Sequence, residues 1–105
     1  MTQYLHVFGS EYLYTIRKFD SAAFRVFAFI VADLIEKDNG SPDIYLGGSK
    51  LFEIHDYFHY EIETIRNAIT LLTKVKVLTK QGNGNYKVNE SVIKIIQNPL
   101  WQKES

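Results

Sequence analysis

The sequence predicts a small α+β domain, mainly helical, and three observations carry that prediction. Apolar residues recur at three- and four-residue steps in the stretches 20–37, 49–58 and 62–73, which read as helices that each bury one face. Period-two alternation replaces that pattern from Val75 to Lys80 and resumes at Tyr86-Lys87-Val88, on either side of the polar run Gln81-Gly82-Asn83-Gly84-Asn85. Gly and Asn supply the positive φ angles of a tight turn there, so this segment is a β-hairpin. Finally, 105 residues with 46% hydrophobic side chains and no cysteine suffice for one core. They exclude both a disulfide framework and a Cys-ligated zinc site.

Before Asp20 two patterns compete. Tyr12, Tyr14 and Ile16 alternate as in a strand, whereas Leu13, Ile16 and Phe19 stand at near-helical spacing behind a Ser10 cap, and a short helix is the preferred reading. Asp20 and Ser21 then cap a helix through about Lys37, with Phe24, Phe27, Val31, Leu34 and Ile35 in its stripe. Val26, Phe29 and Ile30 extend the apolar character to other faces. This helix is expected to be buried nearly all round or shared with a partner chain, with Arg25, Asp33, Glu36 and Lys37 as its wet edge. The cluster Asp38-Asn39-Gly40-Ser41-Pro42 stops it.

Asp43-Ile44-Tyr45-Leu46 is a short β-prone run closed by Gly47 and Gly48, and Ser49 is the expected cap of a second helix that turns Leu51, Ile54 and Phe58 inward. After a turn near His59 and Tyr60, a third helix buries Ile65, Ala68, Ile69 and Leu72. Beyond the hairpin, Asn89 is read as the cap of a last short helix with Val92, Ile93 and Ile96, which Pro99 ends.

This order is that of a winged helix-turn-helix: a three-helix core, a short strand, a β-hairpin wing and terminal helices. It divides the chain into an N-terminal extension (1–19), a winged-helix domain (20–97) and a C-terminal tail (98–105). Tyr4, Phe8, Tyr12, Tyr14 and Trp101 concentrate aromatic surface at the two ends. The extension is therefore a candidate dimerisation element, and a homodimer through terminal elements is expected.

From about Asp20 to Ile95 the chain resembles winged-helix replication and regulatory proteins, most of all the RepL-type plasmid replication proteins. The resemblance lies in Ser21-Ala22-Ala23-Phe24-Arg25-Val26-Phe27-Ala28-Phe29-Ile30, in Glu61-Ile62-Glu63-Thr64-Ile65-Arg66-Asn67-Ala68-Ile69, and in Tyr86-Lys87-Val88-Asn89-Glu90. It implies sequence-specific binding of double-stranded DNA by a plasmid or phage protein acting in replication or transcription control. Such families start the third helix from Ser or Thr after a Gly; here Glu61 holds the capping place and His59 the glycine place.

Groove reading falls to the outward positions Ile62, Glu63, Arg66, Asn67 and Thr70 of the third helix. Arg bridges guanine O6 and N7, Asn pairs adenine N6 and N7, and an aliphatic group meets a thymine methyl. Lys74, Lys80 and Lys87, with Asn83 and Asn85 at the tip of the hairpin, would contact the backbone. The formal net charge is zero, yet from Arg66 to Lys94 the cations Arg66, Lys74, Lys76, Lys80, Lys87 and Lys94 face the single anion Glu90. Glu61 and Glu63 complement the helix dipole but would oppose phosphates. A protein-interaction module that uses Ile62 and Glu63 is accordingly the second reading.

No enzyme is expected. His55-Asp56-Tyr57-Phe58-His59 lacks the glutamate and the third ligand of a zinc hydrolase, so no metal is assigned. Gly82-Asn83-Gly84 lacks the Lys-Ser/Thr of a phosphate loop, and no Ser occupies a strand-to-helix elbow. No cofactor is expected either. With no bilayer-spanning segment and no signal-like N-terminus, the chain is read as cytoplasmic, with duplex DNA as partner and no membrane.

Overall fold

The computed structural model describes residues 2–15 and 19–101. The chain is an α+β fold with the order β1 (Tyr4–Phe8), α1 (Ser10–Thr15), α2 (Ser21–Lys37), β2 (Asp43–Tyr45), α3 (Gly48–Phe58), α4 (Ile62–Lys74), β3 (Leu78–Gly82), β4 (Asn85–Val88) and β5 (Ile93–Gln97). The strands form two antiparallel sheets, one of order β2-β4-β3 and one of β1 with β5. Among the described residues no helix is long and apolar enough to cross a membrane.

One core joins these elements. Phe27, Ile30 and Leu34 of α2 meet Ile54 of α3, Ile65 and Leu72 of α4, and Leu78, Val88 and Ile93 of the strands, all at most 3% exposed. The α2 start is fixed by the Asp20 carboxylate, which accepts the Ala23 amide at 2.7 Å, as its sequence position predicts. At the other end Asp38 adopts a left-handed conformation (φ 46°), and its carboxylate accepts the amides of Gln3 and Tyr4. The hydrogen bond from Gln3, supported by the one from Tyr4, holds this carboxyl below the usual Asp range. The C-terminus of α2 is thereby tied to the start of β1.

The end of α4 is a Schellman motif. Val77 N–H donates to Leu72 O at 2.9 Å and Lys76 N–H to Thr73 O at 3.2 Å, while Val77 and Leu72 are both fully buried. The motif requires a left-handed residue, and Lys76 takes it at φ 68°; His59 does the same at the end of α3 with φ 62°. Both replace the usual glycine. Lys76→Gly and His59→Gly are each expected to raise stability by about 0.5–1 kcal/mol, read as an increase in the thermal unfolding midpoint.

Several expectations are corrected. The predicted C-terminal helix at Val92, Ile93 and Ile96 is strand β5. Ile93 and Ile95 turn toward the core while Lys94 and Ile96 are exposed, and β1, in the segment read as an extension, supplies a pairing partner. A run of β-branched side chains gains more from that ladder than from a short unpaired helix. Asn89 is a turn residue instead: its backbone oxygen accepts the Val92 and Ile93 amides, and its side chain bonds Thr79 and Lys76. The short helix predicted before Asp20 is present as α1; Ile16 and the side chains of Leu13 and Tyr14 lie outside the described residues.

Gly47, not Ser49, holds the cap position of α3, which therefore starts two residues earlier than a Ser49 cap implies. The strand predicted from Val75 starts at Leu78, because the Schellman turn consumes the first three residues. Helix α2 is not buried all round: Phe24 and Ile35 are 38% and 41% exposed, beside exposed Ala28 and Ala32. Among the described residues no element covers that side of the helix.

Candidate nucleic-acid interface

Helix α4 separates its residues into two stripes. Ile65, Ala68, Ile69 and Leu72 are buried against α2 and α3, and on the opposite side Glu63, Arg66, Asn67, Thr70 and Lys74 are exposed. These five recur at three- and four-residue steps over about 16 Å of helix, so they line one accessible face. Ile62, expected on that face, is half-buried and packs against the core. A β-branched side chain in the first turn is drawn there by the neighbouring apolar surface, so Ile62 is corrected from an outward contact to a packing residue.

The preceding turn is set by histidine. His55, half-buried on α3, has Nδ1 within hydrogen-bond reach of the Tyr60 carbonyl, and His59 N–H donates to His55 O at 2.7 Å. This closes α3 and launches α4 after two residues. The two histidines thus shape the turn between α3 and α4, and among the described residues no group of three or more His, Asp or Glu gathers as a metal site. Glu61 caps α4 through position alone, with no side-chain hydrogen bond.

Arg66 is exposed on α4 and has no ion-pair partner among the described residues. Among the described residues the ion pairs are Lys37 to Asp33 (3.2 Å), Lys50 to Asp33 (3.4 Å) and Lys50 to Glu53 (3.2 Å). Glu63 and Arg66 do not pair, so the guanidinium keeps its donors for another molecule. Burial works to lower the Lys50 pKa, but the Glu53 and Asp33 carboxylates outweigh it and hold it above the ordinary value. Among the described residues the ion pairs thus lie on and between α2 and α3, and none involves α4 or the hairpin.

The hairpin stands beside α4. Its turn is Asn83-Gly84, with Gly84 at φ 74°, and Leu46 N–H donates to Gly84 O at 2.6 Å. The half-exposed Tyr45 ring lies over both Gly47 and Gly84: a Cβ would come within 2.0 Å of the ring at Gly47 and 2.8 Å at Gly84. This draws the hairpin tip onto the start of α3. Between them opens a cleft of about 400 Å3 lined by Gly47, Gly48, Arg66, Thr70, Gly84 and Tyr86, among others. Uncapped amides at the start of α3, the Arg66 guanidinium and the Thr70 hydroxyl thus share one concave surface. Tyr45, Gly47 and Tyr86 were not among the sequence-predicted site residues; the Gly-Gly pair was the available signal, read only as a strand end.

The two hairpin lysines diverge. Lys80 stands opposite Tyr86 on the side of the sheet that carries Leu78 and Val88, toward the helices. Lys87 stands opposite Thr79 and Asp43 on the other side and is half-buried. Asn83 and Asn85 are exposed at the tip, and Lys74 is exposed at the far end of α4. Of these residues the cleft is lined by Arg66, Thr70 and Gly84; Asn67, beside Arg66 on α4, and Lys80, opposite Tyr86, are exposed outside its lining, with Glu63 and Lys74 at the two ends of the stripe. Lys87 is set apart beside a carboxylate.

A stripe of guanidinium, carboxamide and hydroxyl groups on a rigid helix fits the donor and acceptor pattern of a major groove, and flanking cations suit phosphates. No family model matches the chain, and no curated protein or solved structure matches it.

Proposed function

We propose that the chain is a winged helix-turn-helix protein that binds double-stranded DNA, with α3 and α4 as the helix-turn-helix and the β3–β4 hairpin as the wing. One observation carries the reading: α4 buries one face and leaves Arg66, Asn67 and Thr70 exposed, with no ion pair among the described residues, next to the hairpin that carries Lys80 and Lys87. Base contacts come from Arg66, Asn67 and Thr70 in the middle of the helix. Phosphate contacts come from Lys74, Lys80 and the tip residues Asn83 and Asn85. With the resemblance to RepL-type proteins, this makes the chain a cytoplasmic plasmid or phage protein acting in replication or transcription control.

Glu61 and Glu63 at the leading end of α4 support a second reading, a winged helix that meets a protein partner. Electrostatics separates the two. Duplex binding must strengthen as salt falls, because neutralising phosphates releases counterions, whereas the protein module shows no retention on nonspecific duplex at low salt. Lys80→Ala is expected to weaken binding to all sequences alike and to flatten the salt slope by about one unit. Lys87→Ala, beside Asp43, is expected to change both much less. Fluorescence anisotropy titrations of labelled duplexes across a salt series read these differences, and equal effects of the two substitutions would contradict the hairpin geometry.

A further inference from the structure

The free edge of β1 carries an inference that does not depend on the nucleic-acid reading. Gly9 N–H donates to Val92 O and Asn98 N–H to Gln3 O, both at 2.9 Å, and the β1–β5 register is unbroken between them. Antiparallel geometry then turns the amides and carbonyls of Leu5 and Val7 toward β5 and those of Tyr4, His6 and Phe8 away from it. The Tyr4 amide is taken by the Asp38 carboxylate. His6 and Phe8 remain as a two-residue edge whose backbone groups have no strand partner among the described residues.

That edge lacks the devices that normally block pairing. Tyr4–Phe8 contains no Pro, Lys, Arg, Asp or Glu, and its ladder has no bulge. The outer edge of β5 differs, with Lys94 beside a cleft also lined by Pro42, Lys87 and Glu90. On the outward face of the ribbon Leu5, Val7 and Ile96 are 36%, 46% and 38% exposed, and Leu5 lies directly opposite Ile96. A two-stranded ribbon of this kind is marginal unless it is extended or covered.

We infer that a second copy of this chain pairs with the β1 edge, antiparallel about a two-fold axis, to form a continuous β5-β1-β1-β5 sheet. Only one register uses both free residues: His6 of each copy pairs with Phe8 of the other, which sets the two Val7 side chains against each other on the outward face. Leu5 and Ile96 of both copies flank them. The two Lys94 side chains stand three strand spacings apart, about 14 Å, beyond the Debye length in physiological salt. With the 43% exposed Phe8 at the same edge, each copy contributes apolar surface on the order of 300 Å2, a patch size that marks interaction sites on monomers. Two such patches fall short of the ~1,600 Å2 of a standard interface, so the dimer is weak and concentration-dependent.

Sedimentation equilibrium of the full chain from low micromolar to high micromolar concentration tests this, with amide hydrogen exchange at His6 and Phe8 as a second readout. A monomer–dimer equilibrium is expected, with both amides gaining protection as concentration rises. Val7→Lys places like charges at the two-fold axis and is expected to raise the dimer dissociation constant about tenfold or more. His6→Pro removes an amide that has no hydrogen-bond partner among the described residues and is expected to act similarly, with unchanged circular dichroism. Phe52→Lys, at an exposed aromatic on α3, is expected to leave the equilibrium unchanged. A monomer at every concentration overturns the inference, as does a dimer that survives Val7→Lys with His6 and Phe8 unprotected, or one that Phe52→Lys dissolves. Should His6→Pro fail to fold, Val7→Lys and the amide protection still decide.

Discussion

Phe27→Ala is expected to destabilise the fold by about 3–5 kcal/mol, seen as a large drop in the urea midpoint of unfolding. The ring is 1% exposed, and its centroid lies 5.5 Å from that of Tyr12 and 5.7 Å from that of Phe19. Tyr12 stacks in turn on Phe8 at 4.6 Å, so Phe27 joins the N-terminal elements to α2. Its loss leaves a cavity lined by groups from several elements, which cannot all collapse onto it. A cost near 1 kcal/mol would mean that the N-terminal segment is not packed on the core. Phe24→Ala is the internal comparison: this ring sits three residues earlier on the same helix and is 38% exposed, so its truncation costs much less.

Arg66→Ala and Asn67→Ala are each expected to weaken binding to a preferred duplex by about 1–3 kcal/mol and to relax base preference at one position, without changing stability. Both side chains are exposed, and among the described residues Arg66 has no ion-pair partner, so neither substitution is expected to cost stability. Anisotropy titrations against duplexes varied one base pair at a time separate this from a backbone role. A uniform loss across all sequences would move Arg66 from base reading to phosphate contact. If affinity is unchanged by both substitutions, α4 is not the reading helix.

Much of this arrangement was legible in the sequence, where the deciding forces are local. Asp20 announces the start of α2 because a carboxylate is the best acceptor for unpaired helix amides, and Asp38 to Pro42 announces its end. The buried stripe of α4 is a 3-4-3 pattern that no strand could satisfy. Strand β5 was missed because Val92, Ile93 and Ile96 satisfy a short helix as well as they satisfy half of a ladder. The choice falls to Tyr4–Phe8, nearly ninety residues away, whose pairing no local pattern encodes. Phe24 and Ile35 keep helical periodicity with the core residues, yet no element among the described residues covers their side of α2.

The chemistry of the candidate interface was likewise legible, and its layout was not. Arg66, Asn67 and Thr70 follow from helical spacing alone. That Lys80 and Lys87 leave the hairpin on opposite sides depends on its register, which pairs Lys80 with Tyr86 and Thr79 with Lys87 and shifts between Lys80 and Gly82. The cleft beside Arg66 depends on the Tyr45 ring resting over Gly47 and Gly84, a contact between three separate segments.

Selection of duplexes from a random pool, with the protein's own upstream region included as a test fragment, probes the central claim most directly. The account predicts enrichment of a common sequence at low salt, with a preference that Arg66→Ala or Asn67→Ala alters. Recovery of no duplex at low salt would contradict DNA binding outright, and would leave the exposed face of α4 to a protein partner.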